Sequence, residues 1–266
     1  MKRALLLLLL TAGGACTATK TTVKNPEQSH LVIDGKLWGS LFQQKAAEYA
    51  ALCYQAYNTA RTSLDKILQD SSSRPLAIVT DIDETFLDNS PYAVSRALQG
   101  LDYENKTWHE WTAKGVATPL AGSLDFFNYA AARNVTVFYI TNRDEQERAG
   151  TLANLKKFNF PFADNEHLIL MKDISSKESR RQAVAEKYNI VLFLGDNLAD
   201  FSALWDKRST EERLQHVKEH AADFGTRYIV LPNITYGGWE DAIYGNKHTL
   251  TPAQKDSAVK ANLTDD

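Results

Sequence analysis

Two cysteines in 266 residues, Cys16 and Cys53, are too few for a disulfide scaffold. If Cys16 is cleaved away or acylated, no intrachain disulfide can form, and stability must come from a packed core. Cys53 lies in the apolar stretch Ala50-Ala51-Leu52-Cys53-Tyr54 and reads as a buried, inert thiol. The chain also lacks a long basic run, and its net charge is −3 with 24% charged residues. That balance gives no electrostatic reason for a nucleic-acid polymer as partner, and a small anionic substrate would have to find local cations. No internal repeat or low-complexity segment is visible. The apolar run from Ala4 to Leu10 falls short of the roughly 20 residues that span a bilayer.

What that run does fit is an export signal, because Lys2 and Arg3 precede it and small residues follow it up to Cys16. Residues 1–15 are expected to be removed. Small residues ending at a cysteine resemble a bacterial lipoprotein signal, in which the cysteine is acylated and anchors the protein to a membrane. Gly13 departs from that pattern, where a leucine-like residue usually stands. Thr17 after the cysteine would favour outer-membrane sorting in the cell envelope, the alternative being a soluble periplasmic or secreted protein. Residues 16–30 are polar and aperiodic, as a tether is.

The length suits one substantial domain. From about Trp38 to Leu68 the pattern predicts one or two amphipathic helices, an N-terminal helical extension ahead of the main sheet. Apolar runs at 76–79, 135–140, 190–194 and 228–231 read as buried strands. Helix-like segments near 122–133, 145–158, 177–188 and 211–223 alternate with them. The fold expected is therefore α/β, a Rossmann-like parallel sheet flanked by helices on both faces. Residues 89–119, inserted after the first strand, are expected to form a small cap, and 31–245 the whole domain, with 246–266 a C-terminal extension.

In such sheets ligands bind beyond the carboxyl ends of the strands. The polar residues there are Thr80-Asp81-Ile82-Asp83, Thr141-Asn142-Arg143, Gly195-Asp196-Asn197 and Pro232-Asn233. A spacing of two sets Asp81 and Asp83 on one side of an extended chain. Two such anions are compatible if a hard divalent cation neutralises one while the other, Asp83, is raised enough to hold a proton. A calcium loop of the EF-hand type is excluded, because its sixth and twelfth positions would be Phe86 and Tyr92. A plain turn remains open on this motif alone. Asp196 adds a third oxygen ligand suited to magnesium. Thr141 and Asn142 can donate hydrogen bonds to phosphoryl oxygens, and a cation could come from Lys177 or Lys172, between which spacing does not choose.

Asp81-Ile82-Asp83-Glu84-Thr85, Ile140-Thr141-Asn142-Arg143, Asp173-Ile174-Ser175-Ser176-Lys177 and Gly195-Asp196-Asn197-Leu198-Ala199-Asp200 resemble, in order and separation, the four motifs of the haloacid dehalogenase superfamily. Within it they are most similar to the class C bacterial acid phosphatases, many of them lipoproteins, over roughly residues 31–240. The resemblance implies a magnesium-dependent phosphomonoesterase acting on small phosphomonoesters such as 5′-nucleotides and aryl phosphates. It implies that Asp81 attacks phosphorus and that Asp83 protonates the leaving alcohol and then activates water. Mg2+ would be held by Asp81, Asp83 through its backbone carbonyl, and Asp196. Thr141, Asn142 and Lys177 would hold the phosphoryl group, with Asp200 fixing the lysine or the metal's water. Trp108, Trp111 and Tyr236 resemble positions near the leaving group. Oligomeric state stays open, a homodimer being one arrangement allowed.

Two competing readings are weighed against this one. His216-Val217-Lys218-Glu219-His220 matches a zinc-peptidase pattern. The expected apolar stripe Leu214, Val217, Ala221 and Phe224 would leave those histidines on a polar flank. A non-catalytic ligand-binding protein is the other, and it has no need of a nucleophile.

Overall fold

A computed structural model describes residues 31–265; the expected signal, Cys16 and the tether lie outside the described residues. The chain opens with α1 (Leu31–Lys45) and α2 (Ala47–Ile67), then enters β1 (Leu76–Thr80). The cap follows as β2 (Leu87–Asp88), α3 (Ser90–Ala97), α4 (Asn105–Thr112) and β3 (Thr118–Pro119). Next come α5 (Ser123–Ala131), β4 (Thr136–Ile140), α6 (Arg148–Lys157), β5 (Leu168–Ile169), α7 (Glu178–Ala185), β6 (Asn189–Gly195), α8 (Thr210–Glu219) and β7 (Tyr228–Val230). The chain closes with α9 (Gly238–Ile243) and α10 (Pro252–Asn262).

Five strands pair in parallel in the order β5-β4-β1-β6-β7, so β1 is central and its end faces the crevice between two neighbours. Period-two alternation sorts the core into two layers. Ile78, Val137, Tyr139, Leu192 and Leu194 pack on one face with α2, α5 and α6. Ala77, Val79, Phe138, Ile140 and Phe193 pack on the other with Val184 and Trp205. The sheet covered on both faces is thus present, with one strand more than the four apolar runs indicate. β5 has only two residues, too few to carry a pattern.

Three contacts tie the peripheral helices to the sheet edge, to one another and to the cap. Tyr57 of α2 donates its hydroxyl hydrogen to the carbonyl of Thr85, 2.8 Å away and buried, bracing the loop after β1. Asp256 of α10 accepts from the backbone N–H groups of Leu31 and Val32, capping α1 from the far end of the chain. Asp102 of the cap accepts from Lys36 and Lys255, both at 2.7 Å. The C-terminal segment is therefore a clasp over α1 and the cap. Thr251 starts α10 with a capping box to Gln254 and Pro252 in the first turn.

The cap rests on an antiparallel pair, Leu87 with Pro119 and Asp88 with Thr118. Its second helix lies backbone to backbone on α6. A Cβ at Gly150 would stand 2.3 Å from the carbonyl oxygen of Thr112, a separation atoms do not tolerate.

The expected stripe of α8 holds at Val217 and Phe224, which pack on the second core layer, and is corrected at Leu214 and Ala221, which are exposed. Leu214 is 53% exposed, while Arg213 is buried and reaches the carbonyl of Trp205. His220 lies past the end of α8, and the two histidines pair locally with Glu219 and Asp223. Neither joins a group of potential metal ligands among the described residues.

Candidate active site

β1 ends at Thr80, and the backbone N–H of Asp81 donates to the carbonyl of Leu194 at 3.0 Å, fixing the first carboxylate against β6. The chain then turns tightly, with the N–H groups of Phe86 and Leu87 returning to the carbonyl of Ile82. Glu84 adopts φ 53°, the left-handed region unusual outside glycine. That turn directs its buried carboxyl back to the N–H of Asn89 and to the hydroxyl of Tyr236.

Lys177, at the start of α7, is 6% exposed and donates to Asp81 and to Asp200, the latter at 2.6 Å. Lys172, its competitor in sequence, is exposed. Gly195 is what allows Asp200 this position, because a Cβ there would fall 2.4 Å from the aspartate's side chain. Asp196 accepts from Thr85 Oγ1 at 3.2 Å and Asn233 Nδ2 at 2.8 Å.

Asp83 stands apart from the other acids. Arg143, itself buried, donates through Nε to both of its oxygens at 3.2 Å and through a terminal nitrogen at 2.7 Å. Asn89 adds a donor at 2.8 Å, and Asn89 in turn accepts from the indole N–H of Trp111. Asp83 is therefore held by a forked contact that fits the planar guanidinium.

Burial and neighbouring charge push several carboxyls of the site up. Burial drives Asp81 to about 7, with Lys177 opposing and Asp200 and Asp83 adding to the rise. Burial and the charge of Asp83 bring Glu84 to about 8. Asp196 is raised well above the usual range by burial, Asp200 and Asp81. Burial works against the charge on Lys177, yet Asp200 and Asp81 hold it raised. Asp81, Asp196 and Asp200 each offer an oxygen within 4.8 Å of the others. Three crowded carboxylates are a donor set that a hard divalent cation relieves.

These groups line one cavity of about 670 Å³. Thr141 and Asn142 reach it from the end of β4, with Thr141 buried and Asn142 exposed and accepting from Arg180. Trp108 and Tyr236 line its wall; Tyr236 is 37% exposed, and Trp108 packs edge-on against Tyr92. Trp111 is outside the lining, because its ring packs on the core and its N–H is used on Asn89. Arg143, Glu84 and Asn233 complete the site, and the sequence pattern assigns none of the three a role. Their positions at strand ends were the available signal.

A family model described as HAD superfamily, subfamily IIIB (acid phosphatase) matches residues 17–239. Among curated proteins, the chain is 32% identical over 131 residues to "Acid phosphatase 1" of Solanum lycopersicum, covering 46% of this chain and 50% of that protein. It is 29% identical over 125 residues to "Stem 31 kDa glycoprotein" of Glycine max, covering 45% and 49%. The chain spans about half the length of the curated relatives it matches. Among solved structures, the class C acid phosphatase from Bacillus anthracis is similar with a TM-score of 0.85 and 38% identity, covering 88% of this chain and 98% of that one. The same enzyme with tungstate bound matches with a TM-score of 0.85 at 38% identity, covering 89% and 99%.

Proposed function

The chain belongs to the HAD superfamily, subfamily IIIB of acid phosphatases, and from that premise we propose that it hydrolyses small phosphomonoesters through an aspartyl-phosphate on Asp81. The observation that carries this reading is the buried contact of Lys177 with Asp81 and Asp200 at the end of the central strand, open to a cavity. A cation held beside a nucleophilic carboxylate lets that anion approach a phosphoryl group, and neutralises charge as the group is transferred. Tungstate, a phosphate-shaped oxyanion, is bound in the Bacillus anthracis relative.

In this reading Asp81 attacks phosphorus while the leaving oxygen takes a proton from Asp83. Water then attacks the aspartyl-phosphate as Asp83 takes a proton back. Arg143 and Asn89 hold Asp83 in place for both transfers. Thr141, Asn142 and Lys177 orient the phosphoryl oxygens. Asp81 and Asp196, with the backbone of Asp83, would hold Mg2+, which when bound supplies charge neutralisation at phosphorus. Asp200 fixes Lys177. Trp108 and Tyr236 on the cavity wall support aryl phosphates and 5′-nucleotides as substrates, since a flat leaving group can pack on them.

Hydrolysis of a chromogenic aryl phosphate should require magnesium and disappear in Asp81→Asn, with the variant's circular dichroism unchanged. Substantial turnover by that folded variant would sink the mechanism. Export and lipid attachment at Cys16, to the outer membrane, belong to the same proposal, and labelled fatty acid should be lost from Cys16→Ala.

A further inference from the structure

His109, Asp144 and Glu147 form a second group of ligating side chains, and none of the three lines the active-site cavity. One imidazole nitrogen and one oxygen from each carboxylate lie within 4.8 Å of one another. His109 comes from cap helix α4, whereas Asp144 and Glu147 belong to the turn that follows Arg143, so the group bridges cap and body. Nε2 of His109 stands 2.9 Å from Oδ2 of Asp144 and 3.9 Å from Oε2 of Glu147. Ligands bonded to a tetrahedral zinc ion at roughly 2.0–2.1 Å are separated by about 3.3 Å, which falls between those two distances.

An ion pair between His109 and Asp144 accounts for the shorter distance but not for Glu147. That residue is 3% exposed, and its Oε1 has no hydrogen-bond partner, one of two such buried side-chain atoms among the described residues. A buried carboxylate with an unused oxygen is unfavourable unless a cation bonds it; the charge of Arg143 reaches Glu147, but its N–H groups bond Asp83 and Thr151 instead. Both acids are also held in advance. Asp144 Oδ1 accepts from the N–H of Gln146, and Glu147 Oε2 from the N–H of Asp144, leaving the ligands oriented by backbone donors. A neutral imidazole with two carboxylates carries a charge of −2, which one divalent ion balances. The donor set includes nitrogen, unlike the all-oxygen group of Asp81, Asp196 and Asp200, so the two sites differ in the metal they suit.

We propose that His109, Asp144 and Glu147 bind a zinc ion, with water completing the shell, and that the ion joins the cap to the loop carrying Arg143. Zinc binding to the untagged, folded chain is measured by equilibrium dialysis at saturating magnesium. The wild type should retain one equivalent per chain that His109→Gln and Glu147→Gln both lose. The glutamine at 109 can still donate to Asp144, so it removes the imidazole ligand while keeping the link between cap and body. Cobalt in place of zinc should give the intense visible bands of a four-coordinate site in the wild type and not in His109→Gln. No retained equivalent in the wild type, or the same equivalent in both variants, overturns the proposal and leaves a plain ion pair.

Discussion

The sheet edge around Asp81 and the clasp around Asp102 are both clusters of charge, the first with acids in surplus and the second balanced. At the sheet edge Asp81, Asp83, Glu84, Asp196 and Asp200 share two cations, Lys177 and Arg143. At the clasp two acids, Asp102 and Glu240, meet two lysines, Lys36 and Lys255. The acid-rich cluster pushes Asp81 to about 7 and Glu84 to about 8. At the clasp burial alone would raise Asp102, but Lys36 and Lys255 hold it at about 2. A balanced cluster satisfies itself and serves as a fastening. A cluster with surplus negative charge is incomplete without a ligand, and that incompleteness marks the working site.

Removing the cation common to Asp81 and Asp200 tests the contrast hardest. Lys177→Met should lower kcat/KM on an aryl phosphate by about 10³-fold or more. Urea denaturation should show it less stable by roughly 3–5 kcal/mol, since two acids are left buried without their partner. Next in size is the pH dependence without magnesium. Asp81 and Glu84 are raised in the folded state above ordinary values of 3.8 and 4.5. The stability they contribute is complete below those values and is lost as pH rises through about 7 and about 8. Thermal melts should therefore fall between pH 4 and 8, and magnesium should flatten the part due to Asp81. A melt that rises over that interval in the metal-free protein breaks the comparison.

The clasp predicts the reverse sign. Asp102 contributes stability above its ordinary range, lost as pH falls through about 2. Asp102→Asn should cost roughly 1.5–3 kcal/mol at neutral pH, seen in denaturant titration, and abolish that acid-side loss. Its turnover should fall far less than that of Lys177→Met, because Asp102 stands on the cavity wall bonded to Lys36 and Lys255, with no bond to Asp81, Asp83 or Lys177. The smallest effect is expected from Glu84→Gln. A glutamine copies the protonated acid and keeps the bonds to Asn89 and Tyr236, so stability at pH 7 should change by less than about 1 kcal/mol. The decline near pH 8 should vanish from its melts.

The sheet and its active edge were legible because apolar runs and the polar residues ending them are local signals. Asp81, Thr141 and Asp196 follow from position at a strand end, whereas Asp200 enters through the resemblance. Spacing does not choose Lys177 over Lys172; the resemblance names Lys177, and the fold buries it while Lys172 stays exposed. Arg143 was obscure because arginine is ordinarily solvated and nothing near it in sequence names Asp83 as its partner. The clasp depends on Asp256 meeting Leu31 and Val32 across more than two hundred residues, a relation no window reads. In α8 the apolar register misled, because Arg213 takes an inward place that Leu214 seemed suited to fill.

Gly150 gives the molecule a mechanical linkage between parts that share no chemistry. Any side chain there would wedge α4 off α6. Tilting α4 would shift Trp108 on the cavity wall and, through Trp111 and Asn89, the seat of Asp83. Leaving-group preference and proton transfer would then drift together under a change at a position that touches neither, so the absence of a methyl group beneath the cap keeps two functions in register.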